Sequence, residues 1–378
     1  MMNIVIVTSG HPPFDERIFY KFGISLNKYG HKTAIVCSTK EISTISEGIS
    51  IKGFSDAGLS KKEKISKLFD LTASFNPSLI ICCEPLTILA AERYKKQIYE
   101  GVKIIYDITE YYPHQNTLVK YSGTHKIIQY LRLSLFNAWV SNLADYLFIG
   151  EKGKAKFYHF TAPFVKKAII GYYPPKRNFH YSPPVYDGKH FTLCYAGRIS
   201  KANGFPAYLA LVRNAAERFK DKVFIAKIVG SKQNNYSALI NELLSVQNIK
   251  VIHHDTAGYK EFAFEFDDVD LCIDLREKNV VFNRSLPIKI FDYIACGKPF
   301  IFSRLKSFKG FEDLRGAGLL IEPDDFESAL GRIAIYLDKP EKLKADSLEA
   351  YRLFTEKYNW EKVETKLIAI VNSLVKNQ

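Results

Sequence analysis

The chain has 378 residues, 47% hydrophobic and 25% charged, a balance that excludes disorder and supplies enough length to bury two domain-sized cores. Its net charge of +13 is uneven, with 24 Lys and Arg against 14 Asp and Glu in residues 1–180 and 29 against 26 in the remainder. The basic first part predicts an anionic partner (a membrane surface or a phosphorylated acceptor) or else a solvated face; nucleic acid is set aside, because the scattered lysines lack any nucleic-acid-binding frame.

Short runs rich in Val, Ile and Phe at 3–8, 33–38, 79–83, 103–107 and 146–149 read as strands, separated by helical patterns, as in a parallel sheet with helical crossovers. The opening MMNIVIVTSG has neither a basic n-region nor a full apolar h-region, and no run of 18 apolar residues follows, so neither secretion nor a membrane span is predicted. In the first loop, "TSGHPPFDERIF", Gly10 either lets backbone approach a ligand or belongs to an ordinary strand-to-helix turn that Asp15 caps. "IIYDITEYYP" puts Asp107, Thr109 and Glu110 past a strand end, where they suit sugar hydroxyls or an acceptor proton, or simply cap the next helix.

Segment 124–144 has Ile127, Ile128, Leu131, Leu135, Trp139 and Leu143 at helical spacing. It is either a core crossover helix or a helix lying on a membrane surface, since Lys126 and Arg132 sit on it and Lys152, Lys154 and Lys156 follow. In residues 171–191 four Pro and two Gly break the pattern, which reads as a linker. A second alternating set then follows at 191–196, 223–229, 250–253, 270–274, 299–302 and 318–321. The fold class is α/β, two Rossmann-like domains in tandem, with function expected in loops that follow strands. Six Cys without metal-ligand spacing read as core thiols of a reducing compartment.

"TLCYAGRISKANGF" reads strand, Gly197, Arg198, loop, Asn203, Gly204, helix. A glycine turn before a helix with Arg198 beside it is an anion site, or Arg198 is a surface ion-pair residue. In "NRSLPIKIFDYIACGKP" a helix is expected over 286–296, with Pro287 in its first turn, Gly297 and Pro299 ending it, and Asp292 about two turns in.

Together, "SLPIKIFDYIACGKPFI", "YAGRISKANG", "HPPFDERIF" and the C-terminal "YNWEKVETKLIAIV" resemble glycosyltransferase family 4, the retaining nucleotide-sugar transferases of GT-B fold, over nearly the whole chain. The resemblance implies an acceptor domain at 1–172, a linker at 173–190 and a nucleotide-sugar-binding domain at 191–357. The two domains would face each other across a cleft, and a C-terminal helix at about 358–378 would return to the first. It implies Asp292 on the ribose hydroxyls and Arg284, Ser285 and Leu286 at a helix start facing the sugar diphosphate, with Gly10 and Gly197 in glycine turns at the ligand. Arg198 would hold the leaving diphosphate, with Lys201 or Arg284 supplying a second positive charge, and Thr109 and Glu110 would lie at the donor sugar.

Three positions depart from the family pattern: Arg284 stands where a Glu is common, Asn203 where a Lys pairs with the Arg, and Thr109 where a His follows the first-domain acid. The implied activity is transfer of a sugar from a nucleoside-diphosphate sugar to a surface polysaccharide, such as capsule or lipopolysaccharide, or to a lipid-linked oligosaccharide. No cofactor and no metal are expected. From the thiols, the absence of a predicted span and the basic first part, the expected location is cytoplasmic, with peripheral binding at the inner face of the cell membrane as the alternative. The rivals are a non-catalytic nucleotide- or glycan-binding protein and a nucleotide-sugar epimerase on the same fold.

Overall fold

The computed structural model describes residues 1–109, 118–231 and 236–376, so Glu110 lies outside the described residues. The chain divides into two units, residues 1–172 with 363–378, and residues 173–362.

In the first unit the strands are β1 (Asn3–Thr8), β2 (Lys32–Cys37), β3 (Thr39–Ser46), β4 (Ile49–Ser55), β5 (Leu79–Cys82), β6 (Lys103–Ile108), β7 (Tyr146–Ile149) and β8 (Lys166–Ile169). They lie in the order β3-β4-β2-β1-β5-β6-β7-β8. Neighbours are parallel except β3 with β4, and Val5 of β1 pairs with Ala34 on one side and Ile80 on the other. Ile4, Val5, Ile6 and Val7 are all buried, as expected of a parallel strand covered on both faces.

Three strands were not expected from the sequence. β3 is largely exposed and β8 is a short edge strand, so neither carries a continuous apolar run. β3 turns into β4 through Glu47 and Gly48, both at positive φ (51° and 75°), the two-residue geometry that suits hairpin twist.

The second unit has β9 (His190–Ala196), β10 (Val223–Val229), β11 (Ile249–His254), β12 (Leu271–Asp274), β13 (Phe300–Ser303) and β14 (Gly318–Ile321) in one parallel sheet ordered β11-β10-β9-β12-β13-β14. Alternation along β9 sends Leu193 and Tyr195 to the core on one face and Cys194 and Ala196 to the core on the other. All six cysteines are buried free thiols.

The expected linker is not a free connector. The Val185 and Tyr186 amides each donate to Asp270 Oδ1 at 2.7 Å, Thr192 N donates to Oδ2 at 2.8 Å, and Lys298 Nζ reaches Pro183 O at 3.1 Å. Its prolines remove amide donors, and several of the remaining donors bond to residues packed beside it, such as Ser182 N to Cys296 O at 3.1 Å. Burial pushes the Asp270 carboxyl up to about 6 against those three amides and Lys298.

The helix expected at 286–296 begins three residues later, at Lys289–Ala295. The residue before a proline is disfavoured in the α region, which acts against a helix that includes Leu286 ahead of Pro287. Asp292 therefore sits in the first turn, not two turns in.

Candidate functional site

In both sheets the chain runs outward one way from a central strand and then starts again on that strand's other side. The reversals fall between β1 and β5 and between β9 and β12. Loops leaving adjacent strands in opposite directions open a crevice at their carboxyl ends, where ligands of such sheets bind.

At the β9–β12 reversal, three segments of distant sequence meet. Gly197 closes β9 with φ 131°, a conformation that favours glycine, and a Cβ there would lie 1.3 Å from Lys289 Nζ and displace that ammonium. Gly204, at φ 80°, packs so closely on the loop after β12 that a Cβ would stand 2.2 Å from Leu275 carbonyl atoms. Glu277 N donates to Ala202 O at 2.9 Å, which ties the two loops together. Between them, Arg198 and Lys201 are exposed, while Asn203 Nδ2 donates to Ser200 Oγ at 2.7 Å and holds its own loop. Tyr195 OH donates to Arg198 O at 2.7 Å, fixing the Arg198 backbone independently of its guanidinium.

Behind this loop is a charged cluster. Arg276 Nε donates to Asp274 Oδ1 at 2.8 Å, its Nη2 contacts Oδ2, and the guanidinium lies between the Phe282 and Phe302 rings, 5.1 Å from each centroid. Burial pulls the Lys289 ammonium down to about 8; Asp274 and Asp292 act upward and Arg276 downward. Asp292 is buried, one turn along the same short helix.

Two of the three backbone donors expected at 284–286 are taken within the chain. Arg284 N and Ser285 N both donate to Val281 O, at 3.0 and 2.9 Å, and the Leu286 side chain packs on the core. The expected anion cradle at that helix start is thus corrected: those two amides are spent on a turn. Lys289, which sequence reasoning missed, is the cation that reaches the Gly197 turn instead. Its only sequence signal is a charge within an apolar helical run.

At the β1–β5 reversal, Glu84 organises the first loop, receiving Ser9 N at 2.6 Å, Gly10 N at 3.0 Å and Thr8 Oγ1 at 2.8 Å. Gly10 thus brings its backbone against Glu84, and a Cβ there would lie 3.2 Å from Glu84 Oε1. His11 stands between Asp15 (Nδ1 to Oδ2, 3.1 Å) and Glu84 (Nε2 to Oε1, 3.7 Å). Burial lifts the Glu84 carboxyl above its usual value, against His11, the Ser9 and Gly10 amides and the Thr8 hydroxyl. Burial also acts upward on Asp15, but the His11 bond and charge and the Ile18 and Arg17 amides outweigh it and leave its pKa lowered. His11 and Glu84 are further candidates that the sequence did not single out.

Asp107 is withdrawn from any ligand. It lies inside β6 and is fully buried, with Arg17 Nε donating to Oδ2 at 2.6 Å and Nη2 to Oδ1 at 2.7 Å. Thr109 O receives Lys154 Nζ at 2.5 Å and Tyr172 OH at 2.8 Å. Lys154 therefore turns inward. A cavity of about 510 Å³ opens at the amino-terminal edge of the first sheet, by Asn3, His31 and Ser50, away from the strand-end loops that carry these groups.

No family model and no curated protein matches the chain. Among solved structures it is similar to sucrose-phosphate synthase from Thermosynechococcus elongatus, at 13% identity and TM-score 0.73, covering 100% of both chains. The fold is GT-B. Two further GT-B similarities are to Anabaena HepE in complex with UDP and glucose (13% identity, TM-score 0.66, 99% of this chain and 100% of that one) and to a UDP-forming α,α-trehalose-phosphate synthase from Burkholderia xenovorans (11%, TM-score 0.66, 99% of each). At these identities the likeness speaks for the fold alone.

Proposed function

We propose that the chain is a retaining glycosyltransferase of the family 4 type, moving a sugar from a nucleoside-diphosphate sugar to a surface polysaccharide or lipid-linked acceptor. The observation that carries this is the convergence of Gly197, Arg198 and Lys289 at the β9–β12 reversal: a glycine turn, an exposed guanidinium and a partly buried ammonium on one crevice. Such a set suits a diphosphate. Two similar proteins, Anabaena HepE in complex with UDP and glucose and a UDP-forming α,α-trehalose-phosphate synthase, agree with a nucleotide-sugar donor.

In this reading the reaction needs no protein nucleophile. As the bond from the sugar to the diphosphate breaks, charge grows on the leaving oxygens, and Arg198 and Lys289, with Lys201 nearby, stabilise it by fixed positive charge. No metal enters the scheme. Lys289 takes the part of the cation that Asn203 does not supply, and this favours a working enzyme over a binding protein. Asp292 receives the ribose hydroxyls. The test is release of nucleoside diphosphate from a panel of donor sugars with and without polysaccharide or lipid-linked acceptors. Release that requires acceptor supports transfer, whereas conversion of the donor sugar without acceptor points to an epimerase.

Asp292→Asn is expected to weaken nucleotide binding by about 1–3 kcal/mol, through loss of charged hydrogen bonds to the ribose. Calorimetric titration checks it, and unchanged affinity with an intact fold removes Asp292 from the site.

Lys289 gives the site a pH dependence. Its ammonium is charged below about 8 and loses its proton above. A bound diphosphate favours the charged form, so affinity is highest on the acid side and falls as pH rises through that value. Titrations between pH 6.5 and 9.5 should show this fall in the native chain and a flat profile over the same window in Lys289→Met.

A further inference from the structure

The helix Gly123–Ser141 is amphipathic the wrong way round for a soluble crossover. Ile127 (61% exposed), Ile128 (56%), Leu131 (55%), Leu135 (71%) and Trp139 (54%) face solvent, while its buried positions are Asn137, Val140 and Ser141. At 3.6 residues per turn these five side chains fall within an arc of about 120°, directed away from the core; Tyr130, 49% exposed, lies outside that arc. Of the apolar positions expected to pack in the core, only Leu143, beyond the helix end, does so.

The orientation is fixed by polar bonds. Asn137 Oδ1 accepts from Tyr106 OH at 3.1 Å, and its Nδ2 donates to Tyr158 OH at 3.0 Å, both buried. Rolling the helix to hide its leucines would break both bonds and leave the tyrosine hydroxyls buried without them. The outward apolar arc is therefore a built feature. Phe160 (91%) and Phe164 (96%), at the end of the neighbouring helix Lys152–Thr161 and just beyond it, add two nearly bare aromatic rings.

The charge of the segment that carries this face is of one sign. Residues 118–169 hold eight Lys and Arg against two Asp and Glu. Both acids are engaged: Asp145 with the Ile104 amide at 2.8 Å and Lys95 at 3.4 Å, and buried Glu151 with Lys154 at 3.2 Å. Lys120, Lys126, Arg132, Lys152, Lys156 and Lys166 are exposed. Among the described residues no helix is long and apolar enough to cross a membrane. A second copy docked on this face would set cations against cations. An anionic lipid surface meets both properties at once, taking the apolar arc into its acyl boundary and the cations at its headgroups.

We propose that this face of the first unit, helix Gly123–Ser141 with Phe160 and Phe164, docks the protein on anionic lipid membranes. The docking is independent of the transferase reading and holds whatever the second unit binds. Each basic side chain at such a surface raises partitioning about fivefold. Binding therefore weakens with salt as the Debye length contracts.

The test is flotation of the full chain with vesicles of phosphatidylcholine containing 30% phosphatidylglycerol, and with phosphatidylcholine alone, at 50 and 500 mM NaCl. The native chain should float with the anionic vesicles at low salt and be released by high salt. It should float with neutral vesicles at least tenfold less. Leu131→Glu/Leu135→Glu, at exposed positions and therefore expected to fold, should lose at least tenfold in vesicle binding while keeping the native circular dichroism spectrum. Arg132→Glu/Lys156→Glu should lose mainly the salt-sensitive part. A native chain that stays in the soluble fraction with anionic vesicles at low salt overturns the proposal. So does a dimer in lipid-free solution that Leu131→Glu/Leu135→Glu converts to monomer, because the face would then belong to a second copy.

Discussion

Arg198→Ala is expected to lower kcat of sugar transfer by about 10²- to 10³-fold, the loss typical of removing one fixed group that stabilises charge developing in the transition state. Arg198 is exposed at the carboxyl end of β9, and its backbone is held by Tyr195 OH rather than by its own side chain. The truncation should therefore leave the melting temperature nearly unchanged. If kcat and KM are separated, the loss should fall on kcat, because the guanidinium is needed most as the diphosphate leaves. Substantial unfolding of Arg198→Ala, with activity kept by the folded fraction, makes Arg198 a structural residue instead.

Arg17→Met is expected to destabilise the first unit by about 3–5 kcal/mol, the range for stranding one partner of a buried ion pair. Arg17 is buried and grips both oxygens of Asp107, donates to the Ile170 and Gly171 carbonyls at 3.1 and 3.2 Å, and lies over the Phe22 and Tyr172 rings at 4.7 and 4.4 Å. Burial works against its charge, and Asp107 more than restores it. The variant leaves a carboxylate in the core with no guanidinium. Arg17→Met/Asp107→Leu removes that orphan and should recover a large part of the loss. Urea unfolding of the two variants is the check; a change below about 1 kcal/mol for the single variant contradicts the account of this pair.

Most strands of the two sheets were readable because strands buried on both faces must be continuous runs of β-branched and aromatic residues, as in "NIVIVT" and "VFIAKIV". β3, "TKEISTIS", was not readable, since it is exposed and is held mainly by backbone pairing to β4. The helix starts at Lys289 rather than Leu286, because a proline that suits a first turn also disfavours helix in the residue before it. At the site, Gly197 and Arg198 were legible as a glycine turn after a strand. Lys289 was not, because its ammonium meets Gly197 only through the packing of a helix 92 positions further on. Glu84 was hidden for the same reason, bonding Gly10 across 74 positions. Asp107 shows the converse: an acid at the end of a strand looked like a ligand group until its buried partner, Arg17, was known.

The central claim is that the β9–β12 crevice binds a nucleoside diphosphate. It is tested most directly by the melting temperature of the full chain with UDP, GDP, ADP and CMP and with their sugars at millimolar concentration, alongside Asp292→Asn and Lys289→Met. A ligand that binds only the folded protein raises the melting temperature by mass action. The account predicts that at least one nucleoside diphosphate or its sugar raises it in the native chain, and that both variants diminish the rise. No shift with any of these nucleotides, or a shift that both variants keep in full, would contradict it.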